Sequence, residues 1–196
     1  MSFTALFGIL ISSILIENYI FSRFLGICPF LGLSEKTSTA AGMGCAVTFV
    51  MTVSTAATWC VYHFVLVPYG LEYLKTIAFI LIIASLVQLL EMFLRKSVPS
   101  LYNALGIYLP LITTNCAILG SALLCIQNEF DFIPSLVFSF GSAVGFTLAI
   151  IIFSFVRERV ALSDTPKSFK GTPIALVTAG LIAMAFSGFS SIQLPF

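Results

Sequence analysis

The sequence predicts an all-α integral membrane protein. Six transmembrane helices form two inverted three-helix repeats, and helices 1 and 4 are broken or re-entrant. Three observations predict this. Of 196 residues, 59% are apolar and 9% charged, with mean hydropathy +1.10; an average soluble domain carries roughly 25% charged residues. Apolar runs recur along the whole chain, each near the roughly 20 residues a helix needs to cross a bilayer. Two of these runs carry glycine, proline and polar residues at corresponding places. Nine Lys and Arg with eight Asp and Glu are too few to cover a soluble surface. A cytosolic enzyme, a disordered chain and a coiled coil are therefore excluded. A net charge of +1 without a dense basic stretch excludes a nucleic-acid partner. The runs are continuously apolar and do not alternate, which excludes barrel strands.

The six spans lie at about 3–24, 39–62, 73–94, 101–125, 133–156 and 173–192. Polar groups separate them: Ser34-Glu35-Lys36, Pro68-Tyr69-Gly70, Arg95-Lys96-Ser97, Gln127-Asn128-Glu129, and Arg157 to Lys170. None of these connections is long enough for a domain, so residues 1–196 form one membrane domain, with repeats at about 1–96 and 97–196. No Lys or Arg precedes Arg23, so the first run reads as a span and not as a signal peptide. The connections after spans 1, 3 and 5 hold Arg23, Lys36, Arg95, Lys96, Arg157, Arg159, Lys167 and Lys170, against Lys75 alone in the others. The positive-inside rule puts the odd connections in the cytoplasm and both termini outside.

Two runs resist a simple helix. From Phe3 to Leu33 one helix would extend about 46 Å at 1.5 Å per residue, against a hydrocarbon core of about 30 Å. Its second half, Phe24-Leu25-Gly26-Ile27-Cys28-Pro29-Phe30-Leu31-Gly32, loses helix preference through two glycines and a proline. A break inside the bilayer with a re-entrant continuation fits this text; the alternative is a helix ending at Phe24 and an apolar surface loop. The fourth run contains Pro110, expected to kink it, and then Thr113-Thr114-Asn115 near mid-span. Polar groups at that depth are costly and usually mark function. The same holds for Glu17 and Asn18 in the first span, as an ion path or as hydrogen-bonding helix contacts.

The two runs correspond. Cys28-x-x-x-Gly32 matches Cys116-x-x-x-Gly120, and Gly42-x5-Thr48 matches Gly141-x5-Thr147. Three spans per repeat give opposite membrane senses, with broken helices in equivalent positions. An in-plane pseudo-two-fold axis would bring Cys28 and Cys116 together. The Gly42/Gly44 and Gly141/Gly145 spacings predict close helix contact. Cys45, Cys60 and Cys125 lie in ordinary helical text and read as small buried hydrophobes. Cys28 and Cys116 each sit on a break. They are either buried cysteines at kinks or thiolates offset by a metal or iron–sulfur centre. Cys116 and Cys125 are about 13 Å apart along a helix, so the chain offers two good ligands where a [2Fe–2S] centre usually takes four cysteines. A second, similar protein would supply the rest.

Gly26-Ile27-Cys28-Pro29-Phe30-Leu31-Gly32, Ala46-Val47-Thr48-Phe49-Val50-Met51, and Ala104 to Ala117 resemble the A-type membrane subunits of the Rnf ion-translocating electron-transport complexes. So does the tail around Arg157-Glu158-Arg159 and Ala175 to Gly180. The E-type component of the sodium-pumping NADH:quinone reductase is homologous. The resemblance implies a place in a bacterial inner-membrane oxidoreductase. That complex exchanges electrons between ferredoxin and NAD and couples this to Na⁺ or H⁺ movement. It implies that Cys28 and Cys116 hold an intramembrane [2Fe–2S] cluster shared with the homologous E-type subunit (RnfE). RnfB, RnfC, RnfD and RnfG would be the other protein partners, with lipid around them. No catalytic residue is expected: the chain has no Gly-rich nucleotide loop, CxxC or HExxH. A small-solute secondary transporter and a non-redox scaffold remain the alternative readings.

Overall fold

Two long apolar helices form the centre of the protein. A computed structural model describes residues 3–16, 18–97, 109–164 and 166–188. Helix α1 (Phe3–Ile11) continues as a π turn over Ser12–Ile16, and α2 is the short Ile27–Leu33. Helix α3 (Thr37–Val61) continues as a π turn over Tyr62–Leu66, and a 3-10 turn at Glu72–Leu74 leads into α4 (Lys75–Ser97). Then follow α5 (Leu109–Thr113), α6 (Cys116–Gln127), α7 (Phe132–Ala161) and α8 (Thr172–Ser187). No strand occurs among the described residues. Among the described residues, four segments are long and apolar enough to cross a membrane: Thr37–Leu66, Glu72–Phe93, Pro110–Gln127 and Phe132–Ala161. Leu6–Ile16 and Thr172–Ser187 are shorter apolar helices.

The central pair is α3 and α7. The Thr37 hydroxyl meets that of Ser154 at 3.3 Å, Thr48 meets Thr147 at 3.3 Å, and Thr55 meets Ser139 at 2.9 Å. Partner numbers fall as α3 advances, so the two helices run antiparallel. Helix α1 packs on α7; α6 packs on both α3 and α7; α4 lies against α3 and α6.

Small residues let these backbones meet. In a bilayer, lipid tails are as apolar as leucine, so close packing and polar contacts must drive association. A Cβ added at Gly44 would collide with the Thr147 side chain. One at Gly141 would strike the Ser13 hydroxyl, and one at Gly145 would lie 2.8 Å from the Ile14 carbonyl oxygen. The Gly44 and Gly141/Gly145 spacings thus act inside this chain. Gly42 has nothing within 4 Å of its Cβ position. The outer faces of α4 and α8 expose Ile77, Leu81, Leu89, Leu176, Leu181 and Met184, as lipid contact requires. His63 stacks on Trp59 with ring centroids 4.2 Å apart, and the Trp59 indole N–H donates to the Phe130 carbonyl at 3.1 Å. This is the amphipathic arrangement expected of an interfacial belt.

Several expectations need correction. The first span, expected to run to residue 24, is helical only to Ile16. The fifth is longer than expected, ending at Ala161 rather than 156. Glu17 lies outside the described residues, as do 101–108 of the fourth span and 189–192 of the sixth. Cys125 is buried and Cys60 half-buried, but Cys45 is exposed. It lines an apolar groove with Thr48, Phe49, Phe140 and Thr147 on the open side of the central pair.

Candidate functional site: two helix breaks joined at a sulfur

Asparagine side chains mark both breaks. Past Ile16 the backbone amides need new acceptors, because unsatisfied groups are not tolerated in lipid. Asn18, fully buried, supplies one: its Oδ1 accepts from Ile20 N at 3.1 Å and Phe21 N at 3.5 Å. Its Nδ2 donates to the Gly145 carbonyl of α7 at 2.8 Å. Both polar ends are used within the polar core, which fastens the break to the central helix. Backbone bonds close the turn, from Ser22 N to Asn18 O at 2.9 Å and from Leu25 N to Tyr19 O at 2.7 Å. The chain then passes through left-handed backbone at Phe24 (φ 56°) and Gly26 (φ 78°) and enters α2.

The interruption therefore runs from Asn18 to Gly26, meeting the expected stretch 24–32 only at its start. Cys28-Pro29-Phe30-Leu31-Gly32 is helical. Pro29 is the third residue of α2, where a helix leaves the amide unbonded anyway. Pro110 lies in α5, next to residues 101–108, which lie outside the described residues. The fourth run breaks later, at Thr114-Asn115. The buried Asn115 caps α6, its Oδ1 accepting from Ala117 N at 3.0 Å. A capping oxygen of this kind satisfies one of the orphan amides at a helix start. Thr114 faces outward and donates to the Pro110 carbonyl at 3.0 Å; Thr113 is half-buried.

The breaks meet. The Gly26 amide donates to Cys116 Sγ at 2.9 Å. Cys28 lies two residues further on, in the first turn of α2, and Cys116 opens α6. Both cysteines are exposed on the surface of the chain. The site is packed from beneath: a Cβ at Gly26 would sit 2.8 Å from the Phe146 ring of α7 and 3.3 Å from both Ala117 Cβ and Asn115 Oδ1. Among the described residues no group of three or more His, Cys, Asp or Glu could hold a metal ion. The Gly26 amide ahead of α2 and the Cys116 sulfur at the start of α6 are what this chain brings together, with Cys28 two residues beyond Gly26. Sequence reasoning missed Gly26 as the donor; its signal was a glycine just ahead of a cysteine at a helix start.

A third attachment, also missed, fixes the far end of α2. Arg157 of α7 donates through Nη1 to the Leu31 carbonyl at 2.7 Å and to Ser34 Oγ at 2.9 Å. Its Nη2 pairs with Glu35 at 3.1 Å. Arg157 is 17% exposed and Glu35 73%, so the carboxylate contact is screened by water and weak. Replacing Arg157 by Met should cost about 1.5–3 kcal/mol, chiefly from the charged donors lost at Leu31 and Ser34. Thermal unfolding of the purified complex reads this. Because the loss sits at neutral, partly buried acceptors, it should persist in high salt.

The family described as "Rnf-Nqr subunit, membrane protein" matches residues 6–193. The A-type subunit of the ion-translocating oxidoreductase complex of Syntrophotalea carbinolica is 59% identical over 184 residues, 94% of this chain and 95% of that one. The A-type subunit of the Na(+)-translocating ferredoxin:NAD(+) oxidoreductase complex of Acetobacterium woodii is 60% identical over 186 residues, covering 95% and 97%. The corresponding protein of Thioalkalivibrio sulfidiphilus is 55% identical over 181 residues, covering 92% and 94%. With nearly the whole chain matched in each comparison, this protein belongs to the Rnf-Nqr family of membrane subunits.

Proposed function

We propose that this chain is the A-type membrane subunit of an ion-translocating ferredoxin:NAD oxidoreductase in the bacterial inner membrane. In this reading Cys28 and Cys116 are half the ligands of an intramembrane [2Fe–2S] cluster, and the homologous RnfE brings the other half. The carrying observation is the sulfur of Cys116 held by the Gly26 amide, with Cys28 two residues away and both thiols open to a neighbour. The donor set fits the group. Cluster ligands are thiolates whose sulfurs accept amide hydrogen bonds, and two cysteines are half of a four-cysteine site. When bound, such a cluster supplies one-electron transfer within the membrane. The chain's own residues hold the two sulfurs in place: Asn18 and Arg157 tie the ends of the Cys28 segment to α7, and Asn115 starts the helix that bears Cys116.

Coupling to Na⁺ or H⁺ movement belongs to the same reading, as does the inverted repeat. The Thr48–Thr147 hydroxyl contact at 3.3 Å joins the two residues that the repeat makes equivalent, where a pseudo-two-fold axis would pass. RnfB, RnfC, RnfD and RnfG as further partners, and a topology with both termini outside, complete the proposal.

Iron analysis and EPR of the purified complex test it. Cys28→Ser and Cys116→Ser should each remove one [2Fe–2S] signal from the reduced spectrum while the complex remains assembled. If electron transfer and that signal survive in both variants, the chain is a scaffold and the reading fails.

A further inference from the structure

Hydroxyl groups inside membrane helices have a default partner, the carbonyl one turn back. This chain uses it repeatedly: Thr48, Thr52, Thr58, Ser85, Thr147 and Thr178 each donate to the carbonyl four residues earlier, at 2.7–2.9 Å. Ser54 of α3, Ser121 of α6 and Ser142 of α7 do not. All three side chains are almost fully buried, and among the described residues none of the three hydroxyls has a partner. The Nδ2 of Asn115, 3% exposed, has none either.

Ser121, Ser142 and the Asn115 amide lie along one seam. Helices α6 and α7 form a hairpin, and two contacts fix its register. At one end the Cys125 thiol donates to the Ser135 carbonyl at 3.7 Å. At the other, Ala117 and Phe146 both close on Gly26. Ser121 is one helical turn from Cys125 and one from Ala117, so it shares their face. Ser142 stands two turns beyond Ser135 and one before Phe146, so it shares theirs. The two hydroxyls therefore face the same seam between the same two landmarks, yet stay outside direct bonding range. Beside them, Thr55 and Ser139 bond to each other at 2.9 Å, and Ser139 reaches the Met51 carbonyl at 3.1 Å. The stripe from Ser135 to Phe146 is about 16 Å long at 1.5 Å per residue. It leads from the Glu129/Asp131 end of the hairpin to Asn115, the neighbour of Cys116.

Unpaired buried donors spaced beyond direct reach are the usual setting for bound water, which takes two to four such partners. We propose that the α6–α7 seam holds a file of bound water running from the Ser135 end to Asn115, carried by Ser142, Ser121 and the Asn115 amide. The file hydrates the apolar half of the protein up to the residue beside Cys116. It is a route for a proton or a monovalent cation between that end of the hairpin and the joined helix breaks. This deepens the ion-coupling part of the proposed function and rests on it for purpose; the water itself does not depend on the cluster.

X-ray radiolytic footprinting of the intact complex tests it, because radicals form in place from bound water. Cys125 and Phe146 border the seam and are almost fully buried, as is Met43 away from it. After correction for intrinsic reactivity, Cys125 and Phe146 should be oxidised several-fold faster than Met43. A Ser121→Ala/Ser142→Ala double variant should lose that excess and melt at a lower temperature. Equal rates at all three residues overturn the proposal. So does an unchanged or raised melting temperature in the double variant, since removing dry, unpartnered hydroxyls would not destabilise. The [2Fe–2S] EPR signal should persist in the serine variants and vanish in the cysteine ones, which separates failure of the water file from failure of the cluster reading.

Discussion

Gly26→Ala should destabilise the assembled protein by about 2–5 kcal/mol. A left-handed backbone costs a side chain about 1–2 kcal/mol, and overpacking a filled site costs about 1–3 kcal/mol. Both apply here. The residue has φ 78°, and the new methyl would lie 2.8 Å from the Phe146 ring. The two contributions can be separated. Phe146→Leu shortens the opposing side chain, so the double variant should recover the overpacking part and retain the backbone part. Thermal unfolding of the wild type, both single variants and the double variant makes the cycle. Full additivity would show that Gly26 and Phe146 do not press on one another. Because the same amide holds Cys116 Sγ, Gly26→Ala should also move the midpoint potential of any centre bound there. A variant that only loosened packing elsewhere would leave that potential alone.

Asn18→Ala should cost a similar amount, about 2–6 kcal/mol, by leaving the Ile20 amide and the Gly145 carbonyl without their partner at about 1–3 kcal/mol per buried group. Asn18→Asp gives a sharper test. A carboxylate keeps the acceptor for the two amides but does not donate to the Gly145 carbonyl, so its deficit relative to the wild type reads that one tie. An unchanged melting temperature would mean that the Gly145 contact contributes nothing.

Much of the fold can be read from composition and spacing. The long apolar runs became α3, α4 and α7, because a membrane leaves the backbone few other choices. The glycine spacings at Gly44 and Gly141/Gly145 found helix contacts, because only a missing side chain allows that approach. The breaks were visible as departures from helical text but were misplaced. Of the expected breakers in the first run, Gly26 does stand in the break, with φ 78°, whereas Gly32 is helical and Pro29 stands in the first turn of α2, where a missing amide costs nothing. At each break an asparagine side chain takes up backbone groups, Asn18 those of the turn after it and Asn115 that of the helix it starts, and a short polar side chain announces that far less loudly than a proline. Cys28 and Cys116 were legible as a pair through their matching surroundings. Arg157, Ser121 and Ser142 were not, since their significance depends on which helix faces which. Cys45 was misread for the same reason: only the packing of α3 against α7 decides that its side of the helix stays open.

The crossing of α3 and α7 has a mechanical consequence. Hydroxyl contacts at Thr37–Ser154, Thr48–Thr147 and Thr55–Ser139 are spread along its length, so the two helices behave as one rod. Arg157 and Gly145 of that rod hold Leu31 and Asn18, so the segment bearing Cys28 is registered to it at both ends.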